Sequence, residues 1–135
     1  MRQDVRDHNG LIEELKPIVG DTYVVHEPED LIVFEQDGSV DRALPSVVVL
    51  PASTQEVSAV MRVAYDRGLP LVARGAGTGL SGGAIADKGG IVLALTRMTR
   101  VLEIDADNRL AVVEPGVVNI DISHAASKYG LYFAP

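Results

Sequence analysis

The apolar positions of this chain form short β-branched runs separated by a helical stripe. Two unbroken runs, Ser46–Leu50 and Ile91–Leu95, predict strands that are buried on both faces. A third strand is predicted at Pro70–Arg74. Between the first strand and this one, residues 57–64 carry apolar side chains at helical spacing, and a capping box, Ser53-Thr54-Gln55-Glu56, precedes them. The pattern therefore predicts a strand–helix–strand unit with a right-handed parallel crossover.

Two shorter helices are predicted before this unit. The first is expected to begin with Asn9 as its cap and to end at Gly20, which leaves residues 1–10 as a flexible N-terminus. The second is expected to begin at Pro28, because proline fits the first helical position, and to stop at Asp37-Gly38-Ser39.

A hairpin and a last helix are predicted after the third strand. The hairpin is indicated by Val101–Asp105 and Leu110–Glu114, and the helix by an apolar face that ends at Gly130. The predicted fold class is α+β with an α/β-like first subdomain. It comprises a small parallel sheet with flanking helices, a glycine-rich loop and the start of an antiparallel hairpin. We expect residues 11–135 to form the N-terminal portion of one domain.

The loop after Arg74 carries the chemistry that the sequence suggests. Residues 75–83 contain five glycines in nine positions. Successive exposed N–H groups in such a loop can form an anion-binding concavity, and an arginine stands at its entrance. This composition favours the interpretation that the loop binds a phosphate-bearing ligand over the interpretation that it is a plain surface turn.

Three known loop motifs fit this stretch poorly. Gly77, Gly79 and Gly82 satisfy G-x-G-x-x-G, but no helix pattern starts inside the motif as a Rossmann loop requires. The Gly-Lys-Ser/Thr triplet of a Walker A loop is absent from the sequence. Ser81 matches a G-x-S-x-G nucleophile elbow, yet it lies well past the strand end with no helix pattern behind it.

Composition excludes several other functions. A formal net charge of −7 disfavours nucleic acid as a partner, and the absence of cysteine removes disulfides and thiolate metal sites. No apolar run approaches the ~18 residues that a membrane span needs. The three histidines are isolated in sequence and the acidic residues are scattered, so no metal site and no catalytic residue is assigned. We expect a cytoplasmic protein whose membrane association, where it occurs, is through partner subunits.

The segment from Pro70 to Gly83, preceded by Ser46–Pro51 and a helix, resembles the pyrophosphate loop of the vanillyl-alcohol oxidase/p-cresol methylhydroxylase flavoproteins. Phe34–Gly38 and Glu114–Asn119 extend the resemblance toward the branch that contains the glycolate oxidase flavoprotein subunit and the D-lactate dehydrogenases. The resemblance covers Leu11 to Pro135. It implies about half of a p-cresol methylhydroxylase (PCMH)-type FAD-binding domain.

The resemblance implies contacts to the FAD pyrophosphate. The candidate residues are Arg74, Gly75, Ala76, Gly77, Thr78, Gly79, Leu80 and Ser81. Other members carry a flavin-linking histidine at the position of Thr78, so FAD is expected to be non-covalent here. Gly77 is expected to be open where the phosphate approaches. Arg74 has two expected partners that the sequence does not separate, the phosphate and an acid such as Glu114.

The implied activity is oxidation of a 2-hydroxy acid of the glycolate or D-lactate class, with hydride equivalents passing to FAD. Substrate residues, and contacts to other oxidase subunits or an electron acceptor, are expected in a continuation beyond Pro135. The 135 residues alone are then expected to be inactive, with apolar surface exposed at Leu131–Phe133. The alternative is a stand-alone nucleotide- or phosphate-binding module, or a degenerate remnant without catalysis.

Overall fold

The structure is a computed structural model that describes residues 2–134, with the side chains of residues 8–134. The helices are α1 (Arg2–Val19), α2 (Pro28–Leu31), α3 (Thr54–Asp66) and α4 (Asn119–Ala126). The strands are β1 (Val24–Val25), β2 (Val47–Val49), β3 (Leu71–Arg74), β4 (Ile91–Ala94), β5 (Val101–Asp105) and β6 (Leu110–Val113). Single 3₁₀ turns lie at Asp21–Tyr23, Ile32–Phe34 and Ser127–Tyr129.

The first four strands form one sheet in the order β1-β2-β4-β3. Both β2 and β3 run parallel to β4, with Val48 and Val72 opposite Val92 from its two sides, while β1 is antiparallel to β2. The parallel strand–helix–strand unit is thus confirmed, with β4 inserted between its two strands. All four residues of β4 are buried, whereas β3 at the edge is only partly buried. The most continuously apolar strand therefore takes a central position.

Each face of this sheet has its own apolar core. Alternate residues of β2 point to opposite faces, so Val47 and Val49 pack with α1 and α3, and Val48 packs on the other side near Leu31 and Ala86. The two helices on the first face are also joined by a bidentate ion pair, in which Arg67 donates to both carboxylate oxygens of Glu14 at 2.9 and 3.0 Å. The helix pair and the sheet together bury the larger of the two cores.

Helix α3 begins with the predicted capping box in a shifted form. The Ser53 hydroxyl accepts the Glu56 N–H at 3.2 Å, as expected. The Glu56 carboxylate accepts the backbone N–H of Ala52, at 2.8 Å, instead of that of Ser53. Both interactions satisfy N–H groups at the helix start that have no partner inside the helix.

Helix α1 begins at Arg2, so the expected start at Asn9 is wrong. Its end agrees with the sequence: Pro17 lies in the last turn and the Gly20 N–H donates to the Lys16 carbonyl at 2.8 Å. The flexibility expected for residues 1–10 stays a prediction. None of the helices within residues 2–134 is long and apolar enough to cross a bilayer.

The predicted hairpin is a separate two-stranded antiparallel sheet of β5 and β6. It is followed by α4 and a 3₁₀ turn that ends at Gly130, as the sequence indicated. The hairpin is joined to the first sheet at Gly116, whose N–H donates to the Met98 carbonyl at 2.8 Å. A Cβ at this position would overlap the carbonyl of Leu95, so the close approach of the two segments requires glycine.

Two neighbours on α3 test the core assignment. Val60 is 0% exposed and Met61 is 53% exposed. Val60→Ala removes buried methyl groups and leaves a cavity, so we expect it to lower the free energy of unfolding by about 2 kcal/mol. Met61→Ala should change it by less than about 0.5 kcal/mol. Urea unfolding followed by circular dichroism measures both, and equal losses for the two variants would contradict the assignment.

Candidate functional site

The glycine-rich loop leaves the sheet at the carboxyl end of β3. The Arg74 carbonyl still accepts the Leu95 N–H at 2.8 Å, and after it the chain departs through residues 75–83. Ligands of open parallel sheets commonly bind beyond the carboxyl ends of the strands. The loop thus lies where an α/β sheet presents its ligand site.

A cavity of about 340 Å³ lies along this loop. Its lining residues are Asp37, Gly75, Ala76, Gly77, Thr78, Gly79, Leu80, Ser81, Gly83 and Ala84. Seven of the eight sequence-predicted site residues are brought together here, and the eighth, Arg74, does not line the cavity. The residues of the loop therefore supply most of the cavity lining.

Arg74 lies behind the loop. It is 7% exposed, its Nη2 donates to the Gln36 carbonyl at 2.9 Å, and its guanidinium carbon is 5.7 Å from the centroid of the Phe34 ring. Its Nη1 is buried without a hydrogen-bond partner. A cation in this position adds positive charge next to the loop without facing the cavity.

The alternative expectation, that Arg74 pairs with Glu114, is wrong. Glu114 is held by Arg100, whose Nη2 and Nε donate to its Oε1 at 2.7 and 3.0 Å and whose backbone N–H donates to Oε2 at 2.8 Å. These bonds join the two residues at the open end of the hairpin, directly before β5 and directly after β6. Glu114 therefore stabilises the pairing of β5 and β6 in the second sheet.

Gly77 lines the cavity, but the direction in which a side chain would extend from it faces Arg74. Its φ angle is +72°, a conformation that side chains disfavour, and a Cβ here would overlap the Arg74 guanidinium. The expectation that this side of Gly77 is open to phosphate is wrong. The open directions belong to Gly75, Gly79 and Gly83, where an added Cβ would meet no atom within 4 Å.

Asp37 lines the cavity and Gly38 contacts the loop, whereas the local sequence pattern at these two residues indicates only a helix stop. The Gly38 N–H donates to the Gly79 carbonyl at 2.8 Å, and a Cβ at Gly38 would lie 2.8 Å from that oxygen. This contact docks the 37–38 segment on the loop and brings Asp37 into the cavity lining. The signal that could have found it is the segment Phe34–Gly38, which carried part of the family resemblance.

The Asp37 carboxylate is the negative charge of this cavity. It is 7% exposed, and its Oδ1 accepts the Ser39 N–H at 2.8 Å. Hydrogen bonding from Ser39, with a smaller contribution from the charge of Arg74, holds its pKa below the usual value. Its Oδ2 is buried without a hydrogen-bond partner. The negative charge of Asp37 therefore lies in the lining of the cavity, and the positive charge of Arg74 lies behind the loop.

A larger cavity of about 710 Å³ lies elsewhere, between the hairpin, α4 and residues 130–134. Its lining is mainly apolar and contains none of the predicted site residues. Tyr132 and Phe133 beside it are exposed, in agreement with the expected apolar surface at Leu131–Phe133. Among the described residues no group of three or more His, Cys, Asp or Glu side chains could hold a metal ion.

Residues 45–135 match a protein family described as an FAD binding domain. The chain belongs to this FAD binding domain family. It is 39% identical over 130 residues to the glycolate oxidase subunit GlcD of Escherichia coli K12, covering 96% of this chain and 26% of that protein. It is 42% identical over 127 residues to a D-lactate dehydrogenase of Archaeoglobus fulgidus, covering 92% and 28%. The chain thus spans about a quarter of the length of these relatives.

Solved structures confirm the expected PCMH-type fold. Substrate-bound p-cresol methylhydroxylase aligns with a TM-score of 0.78 at 23% identity, covering 91% of this chain and 25% of that one. The 4-ethylphenol oxidase of Gulosibacter chungangensis aligns with a TM-score of 0.77 at 31% identity, covering 90% and 24%. The cofactor expected from the resemblance, FAD, agrees with the family to which the chain belongs.

The Glu114–Arg100 pair generates a pH prediction. The hydrogen bond from Arg100 holds the pKa of Glu114 below its ordinary value of 4.5. Because the folded-state pKa is the lower one, the pair stabilises the fold above pH 4.5, and this stabilisation is lost as the pH falls through the lowered pKa. Glu114→Gln should therefore reduce the difference in urea midpoint between pH 7 and pH 3. The exposed Glu103→Gln is the control, and an equal reduction in both variants would contradict the assignment.

Proposed function

We propose that this chain forms the pyrophosphate-binding part of an FAD-dependent oxidoreductase that acts on a 2-hydroxy acid. The observation that carries the proposal is the cavity lined by Gly75–Ser81 beyond the carboxyl end of β3. Backbone N–H groups in such a loop bind anions without adding side-chain bulk. The open Cβ directions at Gly75 and Gly79 leave room for a ligand to approach this backbone.

The electrostatics of the cavity suit a phosphate group. The buried guanidinium of Arg74 lies behind the loop with one nitrogen unpaired, so its charge is only partly compensated inside the protein. Asp37, which lines the cavity, opposes this attraction. The net preference for an anion then depends on the loop amides together with Arg74, which is the arrangement expected for a pyrophosphate site.

FAD, when bound, supplies the electron-accepting chemistry, and the residues of this chain hold and position it. The substrate class is supported by the names of the relatives: a glycolate oxidase subunit, a D-lactate dehydrogenase and a D-2-hydroxyglutarate dehydrogenase of Stutzerimonas stutzeri. All three names refer to 2-hydroxy acids. The electron acceptor, partner subunits and cytoplasmic location expected from the sequence stay predictions.

Gly79→Ala tests the cavity. A methyl group at this position meets no protein atom within 4 Å, so the fold should be kept while the methyl intrudes into the space of the ligand. We expect FAD and ADP to bind at least about tenfold more weakly, a loss of about 1.4 kcal/mol, as measured by calorimetric titration.

Gly10→Ala is the control, because it adds the same methyl group in helix α1, away from the cavity, where the nearest atom is at the end of the flexible Arg67 side chain, 3.2 Å away. It should leave the affinity for FAD and ADP unchanged. Undiminished binding of both ligands by Gly79→Ala would contradict the proposed site.

A second prediction concerns the attachment of the flavin. The loop has Thr78 where other members carry a linking histidine, and the lining of the cavity contains neither histidine nor cysteine. We therefore expect acid precipitation of flavin-loaded protein to release all flavin into the supernatant. Absorbance of the supernatant and the pellet near 450 nm measures the partition. A yellow pellet that survives washing in denaturant would show a covalent link.

A further inference from the structure

We propose that Arg74 is a positioning residue that controls anion binding from behind the glycine loop, without touching the ligand, and that Asp37 opposes it from the cavity side. The inference rests on the proposed pyrophosphate site and names the two charges that set its affinity.

Three contacts fix the Arg74 side chain. Its Nη2 donates to the Gln36 carbonyl at 2.9 Å, its guanidinium lies over the Phe34 ring, and Gly77 packs against it so closely that a Cβ would overlap it. The side chain therefore joins the 34–36 segment to the underside of the loop. Movement of the guanidinium would remove the support of Gly77, whose φ of +72° is uncommon for residues other than glycine.

This geometry separates Arg74 from direct phosphate binding. The residue is 7% exposed and does not line the cavity, since Gly77 lies between the guanidinium and the ligand space. Its hydrogen-bond acceptor, the Gln36 carbonyl, is neutral and Nη1 has no acceptor, so the guanidinium keeps its positive charge. A charge in a low-dielectric environment acts over several ångströms, so Arg74 can attract an anion through the loop backbone.

Asp37 is placed to act in the opposite direction. Its carboxylate is equally buried, it lines the cavity, and its Oδ2 has no hydrogen-bond partner. A carboxylate in this position repels an anion on the loop amides. Removal of the Arg74 charge should therefore weaken anion binding, and removal of the Asp37 charge should strengthen it. A purely structural role of either residue would not produce these opposite changes.

The test is an NMR titration of the ¹⁵N-labelled chain with sodium pyrophosphate at low, fixed ionic strength, following the amides of residues 75–81. Arg74→Gln removes the charge, Arg74→Lys keeps the charge but loses the planar fork, and Asp37→Asn removes the opposing charge. Arg97→Gln is the matched control. Arg97 likewise binds a carbonyl, that of Leu50 at 2.7 Å, and lies over an aromatic ring, that of Tyr23, away from the loop cavity.

We expect pyrophosphate to bind about tenfold more weakly to Arg74→Gln and about threefold more tightly to Asp37→Asn. Arg74→Lys should recover the affinity to within about threefold of the wild type, and Arg97→Gln should leave it unchanged. Thermal unfolding of each variant without ligand separates lost stability from lost binding.

The two hypotheses fail differently. If the loop amides of the wild type do not respond to pyrophosphate, the proposed function fails and this inference fails with it. If the wild type binds but Arg74→Gln binds equally well, or Asp37→Asn and Arg74→Gln shift in the same direction, only the inference is overturned. If Arg74→Gln does not fold, the other two variants test the inference. It still requires Asp37→Asn to bind pyrophosphate more tightly than the wild type and Arg74→Lys to bind it with near-native affinity.

Discussion

The register between β3 and β4 is the constraint on which the loop site depends. The Ile91 N–H donates to the Pro70 carbonyl at one end of the pairing, and the Leu95 N–H donates to the Arg74 carbonyl at the other. Adjacent residues of a strand point to opposite faces, so a slip of one residue would turn Arg74 away from Phe34 and Gln36. The guanidinium could then no longer support Gly77. The shape of the loop is thus determined by backbone hydrogen bonds made before the loop begins.

This arrangement requires a charged side chain in the interior, which ordinarily disfavours folding. Burial of a cation is costly unless its donors find partners, and Arg74 satisfies this only in part, through the Gln36 carbonyl and the ring of Phe34. An unpaired nitrogen remains, as does an unpaired oxygen on Asp37. Buried polar groups are ordinarily paired, so two unpaired atoms beside one cavity mark it as a candidate functional site.

Elements defined by local pattern were predicted well from the sequence. The β-branched runs, the capping box of α3 and the turn-bounded hairpin each depend on residues a few positions apart, and the structure contains them. The glycine loop was found by composition. The start of α1 was misplaced because Asn9 was read as a cap, although the helix continues through it to Arg2.

The errors at the site have a common cause, which is separation along the chain. Gly38 meets Gly79, and Arg74 meets Gln36, across some 40 positions, and no periodicity reports such contacts. For the same reason the sequence leaves Glu114 open as a partner of Arg74: its actual partner, Arg100, faces it only once the hairpin has formed. The sequence shows that residue 77 is a glycine, but it does not show that the Arg74 guanidinium beside it requires one.

The division of the chain into a four-stranded and a two-stranded sheet, joined near Gly116, has a consequence for the energetics of ligand binding. A ligand stabilises only the part of a protein whose unfolding would release it. A pair of strands is marginal in water without further packing, and here α4 contacts β5, so we expect the hairpin and α4 to open together while the loop and its sheet remain intact. Occupancy of the loop would then protect the first sheet against opening and leave the hairpin region as exchangeable as before, except to the extent that the contact at Gly116 couples the two.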